Sequence, residues 1–487
     1  TSSTYWAVYH RSLGEGHYLY LNTTDAKSDY DSNNTNSRYW NNTAPTSTQF
    51  TVSNDGWVNG SGQDYVAYLF AHNEAVYGEN SDEAIIKCGS YTTDSSGDAS
   101  INLGFEPQFI FAKRADGTGD WFINDVMRVI ATDGNDPYLV PNSSAAENSS
   151  YDYYDLTPTG FKHEGGFTSS TYIYMAIRRP HKPASELAAN KLFSIDGAGN
   201  ASGDPDWVSN GHVVDMAFFK HLTSAESAYL TSRLNANKYM NISGTGAEAS
   251  DSTLDMDFQS GVGDSSSSAV SNYQAWMWRR APGFFDVVAY TGTGGSTNTI
   301  SHNLGVVPEM MWVKRRDSSD VWWVYHKGMT GTPHNAYLRL DTTAAVVTSN
   351  DAGFGNTAPT ATQFTVGGFP AGSGTKHIAF LFASTDGISK VGSYTGTGST
   401  LNIDCGFSSG ARFVLLKRTD SADDWWLYDS VRGISANNDP YLALNEGQAS
   451  VTSTNYVSAL SSGFTINSNA PSTINGSGGS YIFYAIA

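Results

Sequence analysis

Lys314-Arg315-Arg316-Asp317-Ser318-Ser319-Asp320-Val321-Trp322-Trp323-Val324-Tyr325-His326 carries a lysine–arginine pair, an aspartate and, eight residues after the lysine, a tryptophan. The spacing recurs in Lys113-Arg114 … Asp116 … Trp121 and in Lys417-Arg418 … Asp420 … Trp425. Apolar runs flank each copy, as Phe109-Ile110-Phe111 and Trp121-Phe122-Ile123 do. Two such runs joined by Gly, Ser, Asp and Thr read as a β-hairpin with a polar loop, whose tryptophan begins the returning strand. Trp6 with Val8-Tyr9-His10 matches Trp322 with Val324-Tyr325-His326, so the chain opens inside such a hairpin.

Working outward, whole segments repeat. Ala44-Pro45-Thr46-Ser47-Thr48-Gln49-Phe50-Thr51-Val52 agrees at eight of nine positions with Ala358-Pro359-Thr360-Ala361-Thr362-Gln363-Phe364-Thr365-Val366. Asn135-Asp136-Pro137-Tyr138-Leu139 returns as Asn438-Asp439-Pro440-Tyr441-Leu442. Apolar closing runs fall at 65–71, 172–177, 273–278, 377–383 and 480–487. The expectation is an all-β chain of five tandem β-sandwich or jelly-roll-like units of roughly 100 residues. Their bounds are 1–80 (lacking its first strands), 86–180, 184–281 (divergent), 284–385 and 388–487. The tryptophan hairpin is missing from 184–281. There Thr223-Ser224-Ala225-Glu226 reads as a capping box, predicting a helix over 223–238 with Ala225, Ala228, Tyr229 and Leu234 apolar. The first unit lacks two strands, which would leave its edges open. That predicts either that the native polypeptide extends upstream or that another chain donates the strands.

Composition agrees with an all-β reading. Aromatic residues make up 13% of the 487 and charged residues only 15%, the reverse of a disordered chain. Lysine and arginine number 28 against 47 aspartates and glutamates, a net charge of −19. Such a surface repels phosphate, so nucleic acid is not an expected partner. No basic cluster suits an anionic membrane and no apolar run suits membrane insertion. Two cysteines, Cys88 and Cys405, exclude a disulfide scaffold and read as free thiols.

The candidate site residues are few. Trp6, Trp121, Trp322 and Trp425 read as structural core residues of their hairpins. Trp322-Trp323 and Trp425-Trp426 are adjacent pairs, and neighbours on a strand face opposite ways. Trp323 and Trp426, with Asp423 and Asp424 beside the second pair, are therefore candidates for holding sugar rings. The competing reading is that the second tryptophan packs against the next unit. Asp136 and Asp439, with Asp133 or Asn437 nearby, are weak calcium candidates, although Asn-Asp-Pro is an ordinary turn. His10 and His326 match Asp125 and Asp429, and read as strand-end residues bonded to a turn. No nucleophile or metal-hydrolase motif accompanies them, so neither a catalytic residue nor a cofactor is expected. Asn-x-Ser/Thr triplets at Asn22, Asn41 and Asn59 are acceptors only in a secretory pathway.

The string Ala275-Trp276-Met277-Trp278-Arg279-Arg280-Ala281-Pro282-Gly283-Phe284-Phe285-Asp286-Val287-Val288-Ala289-Tyr290-Thr291-Gly292 is distinctive. So are His302-Asn303-Leu304-Gly305 with Pro308 and Lys314, and Asp429-Ser430-Val431-Arg432-Gly433. Together they resemble repeats in large virion proteins of tailed phages, above all marine ones, carried in tail-fibre or tail-appendage proteins. Residues 213–234 also resemble the end of a concanavalin-A-like lectin domain. The resemblance implies a virion location, a structural and adhesive role without enzymatic activity, and assembly with other virion proteins as a homo-oligomer. It further implies attachment to a host surface glycan or protein. The reading of a different class is a secreted carbohydrate-binding or carbohydrate-degrading protein.

Overall fold

The computed structural model describes residues 5–29, 39–73, 76–77, 83–197, 199, 205–264, 270–348, 353–435 and 438–487. Nearly all of its regular structure is antiparallel strand, and one strand order recurs. In block 284–385 the larger sheet runs, in spatial order, Phe285–Thr291, Lys376–Phe382, Met310–Arg315, Trp323–His326, Ala336–Arg339 and Val347–Thr348. A second sheet pairs Thr297–Ser301 with Gln363–Gly367. The closing run Lys376–Phe382 is thus not an edge but lies between the opening strand and the first hairpin strand. Its sequence shows why. After Lys376 every residue is buried, which a strand covered on both faces requires and an alternating strand does not.

Block 388–487 repeats the order as Ser389–Thr395, Ser480–Ile486, Phe413–Arg418, Trp425–Asp429 and Tyr441–Ala443. Leu401–Asp404, Gly463–Ile466 and Val457–Leu460 form its smaller sheet. Ile403, Phe464 and Ile466 from the small sheet meet Val414, Leu416, Tyr428 and Phe483 from the large one, a two-sheet sandwich core. The turn opening Gly463–Ile466 needs its glycine, because a Cβ there would come within 2.1 Å of the Ile403 carbonyl oxygen. Block 86–180 shows the same order: Ile86–Thr92, Thr171–Arg178, Pro107–Arg114, Trp121–Asp125, with Ala99–Asn102, Gly160–His163 and Tyr154–Thr157 as the smaller sheet.

The middle block, 184–281, follows it as well: Phe193–Asp196, Tyr273–Trp278, Met216–His221, Tyr229–Ser232, Lys238–Asn241 and Ala249–Ser250. This overturns the helix expected over 223–238. Tyr229–Ser232 is a strand whose Ser232 pairs with Met216, as His326 pairs with Met310 one block later. The apparent capping box is a turn, in which the backbone N–H groups of Thr223 and Ser224 donate to His221 Nδ1. The hydroxyl of Tyr273, on the closing strand, donates to the Glu226 carboxylate. The sheet neighbours of a hairpin strand outweigh a local helical signal worth about a kcal/mol.

Among the described residues of the first block, the late strands Ala7–Val8, His17–Tyr20 and Ser28–Asp29 form a three-stranded sheet. Its closing segment, 65–71, belongs to no sheet.

The blocks do not stand as five separate compact bodies. The chain divides into two, Thr1–Pro180 and His181–Ala487. Within the second, rings of all three blocks meet in one aromatic interior. Phe413 lies 5.5 Å from Trp278 and 6.0 Å from Tyr484. Tyr484 lies 5.2 Å from Phe382, and Phe382 lies 5.1 Å from Phe285. Among the described residues no helix is long and apolar enough to cross a membrane.

Candidate functional site

The lysine–arginine–aspartate–tryptophan hairpin has a different job for each residue. At its tip the arginine pairs with the aspartate: Arg114 with Asp116 at 2.9 Å, Arg315 with Asp317 at 2.6 Å, Arg418 with Asp420 at 2.8 Å. These pairs are solvent-facing and contribute little to stability. The lysine faces inward and has no exposure at position 113, 314 or 417. The tryptophan's backbone N–H donates to a turn residue on its own block: Asn142 for Trp121, Asp341 for Trp322, Asn445 for Trp425. Trp6 does the same with Asn22.

Lysine and indole both reach the preceding block. Trp121 Nε1 donates to the Tyr20 carbonyl at 2.9 Å, and Lys113 Nζ to that of Thr24 at 3.2 Å. Trp322 donates to Asn241 at 2.8 Å and Lys314 to Thr245 at 2.9 Å. Trp425 donates to Arg339 at 2.9 Å and Lys417 to Thr343 at 3.1 Å. The two carbonyls lie four residues apart each time and straddle the turn residue, Asn22 or Asp341, that caps the acceptor block's own hairpin. A main-chain bond seals each junction: Lys27 N to Ala115 O, Glu248 N to Arg316 O, Val346 N to Thr419 O.

In residues 181–487 these junctions close on themselves. The middle block has no hairpin tryptophan, yet its buried Lys220 donates to Glu446 O at 2.6 Å, and Ser450 N donates to Leu222 O. Block 284–385 therefore grips 184–281, block 388–487 grips 284–385, and 184–281 grips 388–487. The position equivalent in His326 and Asp429 works from the other side. His326 Nδ1 accepts the Gly328 N–H at 3.0 Å, which leaves Nε2 to donate to the Phe483 carbonyl in the next block. Asp429 accepts from its own Val431 and Arg432 N–H groups, and takes Gln274 Nε2 of the middle block at 2.7 Å. In residues 1–180, His10 reaches the Tyr174 carbonyl in the same manner. The sequence places these residues at strand ends bonded to turns, which they are. Their second bond, to another block, was not legible.

Burial sets the electrostatics. It pushes Lys113, Lys220, Lys314 and Lys417 down to about 8. Each amine contacts two carbonyls, Lys314 taking Asp320 as its second and Lys417 taking Asp423. A neutral amine still has two N–H donors, so deprotonation leaves both bonds in place. Because the folded value lies below the unfolded one, these groups add stability as pH rises from about 8 toward 10.5. His326 follows the same sign in a lower pH window. Burial lowers it to about 4, so it stays neutral in the fold while the unfolded ring takes a proton below about 6.5. Stability of 181–487 is expected to fall as pH drops through that window, by up to about 1.4 kcal/mol per pH unit from this one group. His326→Gln is expected to flatten the pH dependence of Tm between 6.5 and 4.5, as read by circular dichroism. An unchanged slope would assign the acid sensitivity elsewhere.

The sugar and calcium candidates fare differently. Trp323 and Trp426 are 3% and 7% exposed, so neither offers a ring face to a sugar. Both sides of their strand are covered: Trp323 lies against Tyr337 at 4.7 Å, and Trp426 against Tyr441 at 4.2 Å. Asp423 is buried and bonds the Trp426 indole, and Asp424 holds Asn445 Nδ2 at 2.8 Å. Trp121, Trp322 and Trp425 are core residues as expected, whereas Trp6 is 54% exposed, beside Tyr68.

Asp136 and Asp439 are fully buried, and their carboxylates serve backbone donors. Asp136 accepts from the N–H groups of Ala131, Tyr153 and Tyr154, and Asp439 from those of Tyr456 and Val457. Burial pushes Asp136 up to about 8, which disfavours the ionised form a calcium site needs. Both are turn clamps, and Asn437 lies outside the described residues. No group of three or more His, Cys, Asp or Glu positioned for a metal occurs among the described residues. Cys88 and Cys405 are free, and burial raises both thiols, Cys405 to about 12.

A comparison with curated proteins finds no match. A family model described as a domain of unknown function, DUF7483, matches residues 1–180 and again 198–487, together nearly the whole chain. With the two matches falling on the two compact bodies, the chain belongs to the DUF7483 family.

Proposed function

We propose that this chain is a non-enzymatic structural protein of a phage virion, a tail fibre, tail appendage or surface adhesin that contributes to host attachment. The observation that carries the reading is the use of the recurring hairpin: its lysine, tryptophan and strand-end residue all bond to the main chain of a neighbouring block. Side chains committed in this way build a stiff scaffold. The low charge and tandem sequence favour the same role, as does the resemblance of 275–292, 302–314 and 429–433 to phage tail proteins. Partners are then other virion proteins, further copies of the chain and a host surface component, with several copies adding avidity.

Immunogold labelling with an antibody against the chain should decorate purified virions at a fixed place. Label confined to the secreted fraction, together with release of reducing sugar from surface polysaccharide by the purified chain, would establish the carbohydrate-active reading instead.

A further inference from the structure

Block 86–180 builds an aromatic platform at the turn that Asp136 clamps. The Asp136 carboxylate accepts from the Tyr153 and Tyr154 N–H groups, and the Asp136 N–H donates to the Tyr151 carbonyl at 2.7 Å. This double hold fixes the segment 151–154 against Tyr138, two residues beyond Asp136. Phe122, Tyr138 and Tyr153 meet as a triangle of rings, with centroids 5.2, 5.4 and 5.5 Å apart. Tyr151 lies flat on Tyr153, at 5.5 Å and 17° from parallel. One face of the Tyr151 ring is used in that stack. The other faces solvent, for the residue is 51% exposed.

A polar edge borders the platform. Asp120 is partly exposed and holds Asn142 Nδ2 at 2.7 Å. Its charge reaches the rings. Burial, Tyr151 and Asp120 together raise the Tyr138 phenol, while burial, the neighbouring tyrosines and Asp120 push Tyr153 up to about 12.

Block 388–487 repeats the frame without the outer ring. Trp426, Tyr441 and Tyr456 stand where Phe122, Tyr138 and Tyr153 stand, and Asp424 holds Asn445 as Asp120 holds Asn142. The Asp439 clamp acts on Tyr456 and Val457, which puts Thr454 at the position of Tyr151. Thr454 is buried, and its hydroxyl donates to the Asp439 carbonyl at 2.7 Å. The turn therefore folds without a ring at that position, and the fold does not account for an exposed tyrosine at 151.

We propose that the open face of Tyr151, bordered by the Asp120 carboxylate and the Asn142 amide, is a binding site for a neutral sugar ring of a surface glycan. The inference rests on the attachment part of the reading above and names its partner. A pyranose presents an apolar face of C–H groups and a rim of hydroxyls. The tyrosine face fits the first by dispersion and ring electrostatics. The carboxylate fits the second, because two oxygens offer acceptor sites beyond the one that Asn142 takes. An apolar protein surface fits less well, since it would bury the Asp120 charge without donors. The same charge, on a chain of net −19, selects against sialic and uronic acids. Tyr151 is held by the main-chain bond and the stack before any ligand arrives, so little side-chain freedom is lost on binding.

The test is binding of the purified chain to immobilised neutral oligosaccharides of glucose, galactose, mannose and N-acetylglucosamine, beside sialylated and uronic-acid oligosaccharides. The neutral set is expected to yield a ligand and the acidic set none. Tyr151→Ala is expected to weaken that binding about 10-fold and to leave the circular dichroism spectrum unchanged. Tyr151→Phe, which keeps the ring face, is expected to retain binding. Phe369→Ala removes a ring that is 74% exposed on another block, and is expected to bind as the wild type does. Absence of any neutral ligand, preference for the acidic set, or full binding by Tyr151→Ala would each overturn the site. The measurement needs no virion. Labelled virions together with no neutral-glycan binding would overturn the site and leave the virion reading standing. Tyr151-dependent glycan binding without virion label would support the site and sink that reading.

Discussion

Trp425→Ala is expected to destabilise the whole of residues 181–487, by about 3–5 kcal/mol, the usual cost of truncating a buried tryptophan. The indole is 1% exposed, and its Nε1 holds the Arg339 carbonyl of the preceding block at 2.9 Å. Truncation therefore leaves a cavity and an unmade bond at a junction between blocks. Since the three junctions form a closed cycle, loss of one leaves the other two to carry the assembly. Hydrogen exchange is expected to show faster opening of Tyr273–Trp278 and Met310–Arg315 along with Phe413–Arg418. Trp425→Phe, which keeps one aromatic ring and loses the rest of the indole with its N–H, is expected to cost less, about 1–3 kcal/mol. If faster exchange stays within 388–487 in both variants, the blocks are independent and the junctions are incidental.

Asp429→Ala is expected to be as damaging, for an electrostatic reason. The carboxylate is fully buried and pairs with Arg432, itself 6% exposed, at 2.6 Å. The guanidinium also lies 5.7 Å from the Trp276 ring of the middle block. Removing the carboxylate strands a buried cation, which costs about 3–5 kcal/mol. It also removes the acceptor for Gln274 Nε2, the bond from block 388–487 to the middle block. Asp429→Asn keeps an acceptor for the turn but not the charge, and is expected to fall between the wild type and Asp429→Ala in urea denaturation. Equal stability of Asp429→Ala and the wild type would show that the Arg432 cation finds water in the fold.

Much of this molecule is legible in one dimension. The eight-residue Lys-to-Trp spacing marks three hairpins because a β-hairpin has a fixed loop length and a side-chain period of two. The closing runs read as unbroken apolar stretches because a central strand is covered on both faces. Trp121, Trp322 and Trp425 were recognisable as core for the same reason.

What only the tertiary structure decided is where the side chains go after they leave their own block. Periodicity says that Trp323 and Trp322 face opposite ways, and so suggested an exposed partner. It cannot say that both faces are covered, because Tyr337 on the adjacent strand is brought there by the sheet. The segment 223–238 carries a local helical signal, but Tyr229–Ser232 takes the place of a hairpin strand, and its pairing with Met216–His221 outweighs local propensity. Lys220 has no tryptophan eight residues later to identify it, yet it closes the cycle on Glu446, 226 residues along the chain. A main-chain carbonyl looks the same in every residue, so the acceptor half of each junction leaves no mark on the sequence. The spacing of donors was determined by the residues themselves, whereas the choice of carbonyl was determined by the packing that brings one block's turn beneath the next block's hairpin.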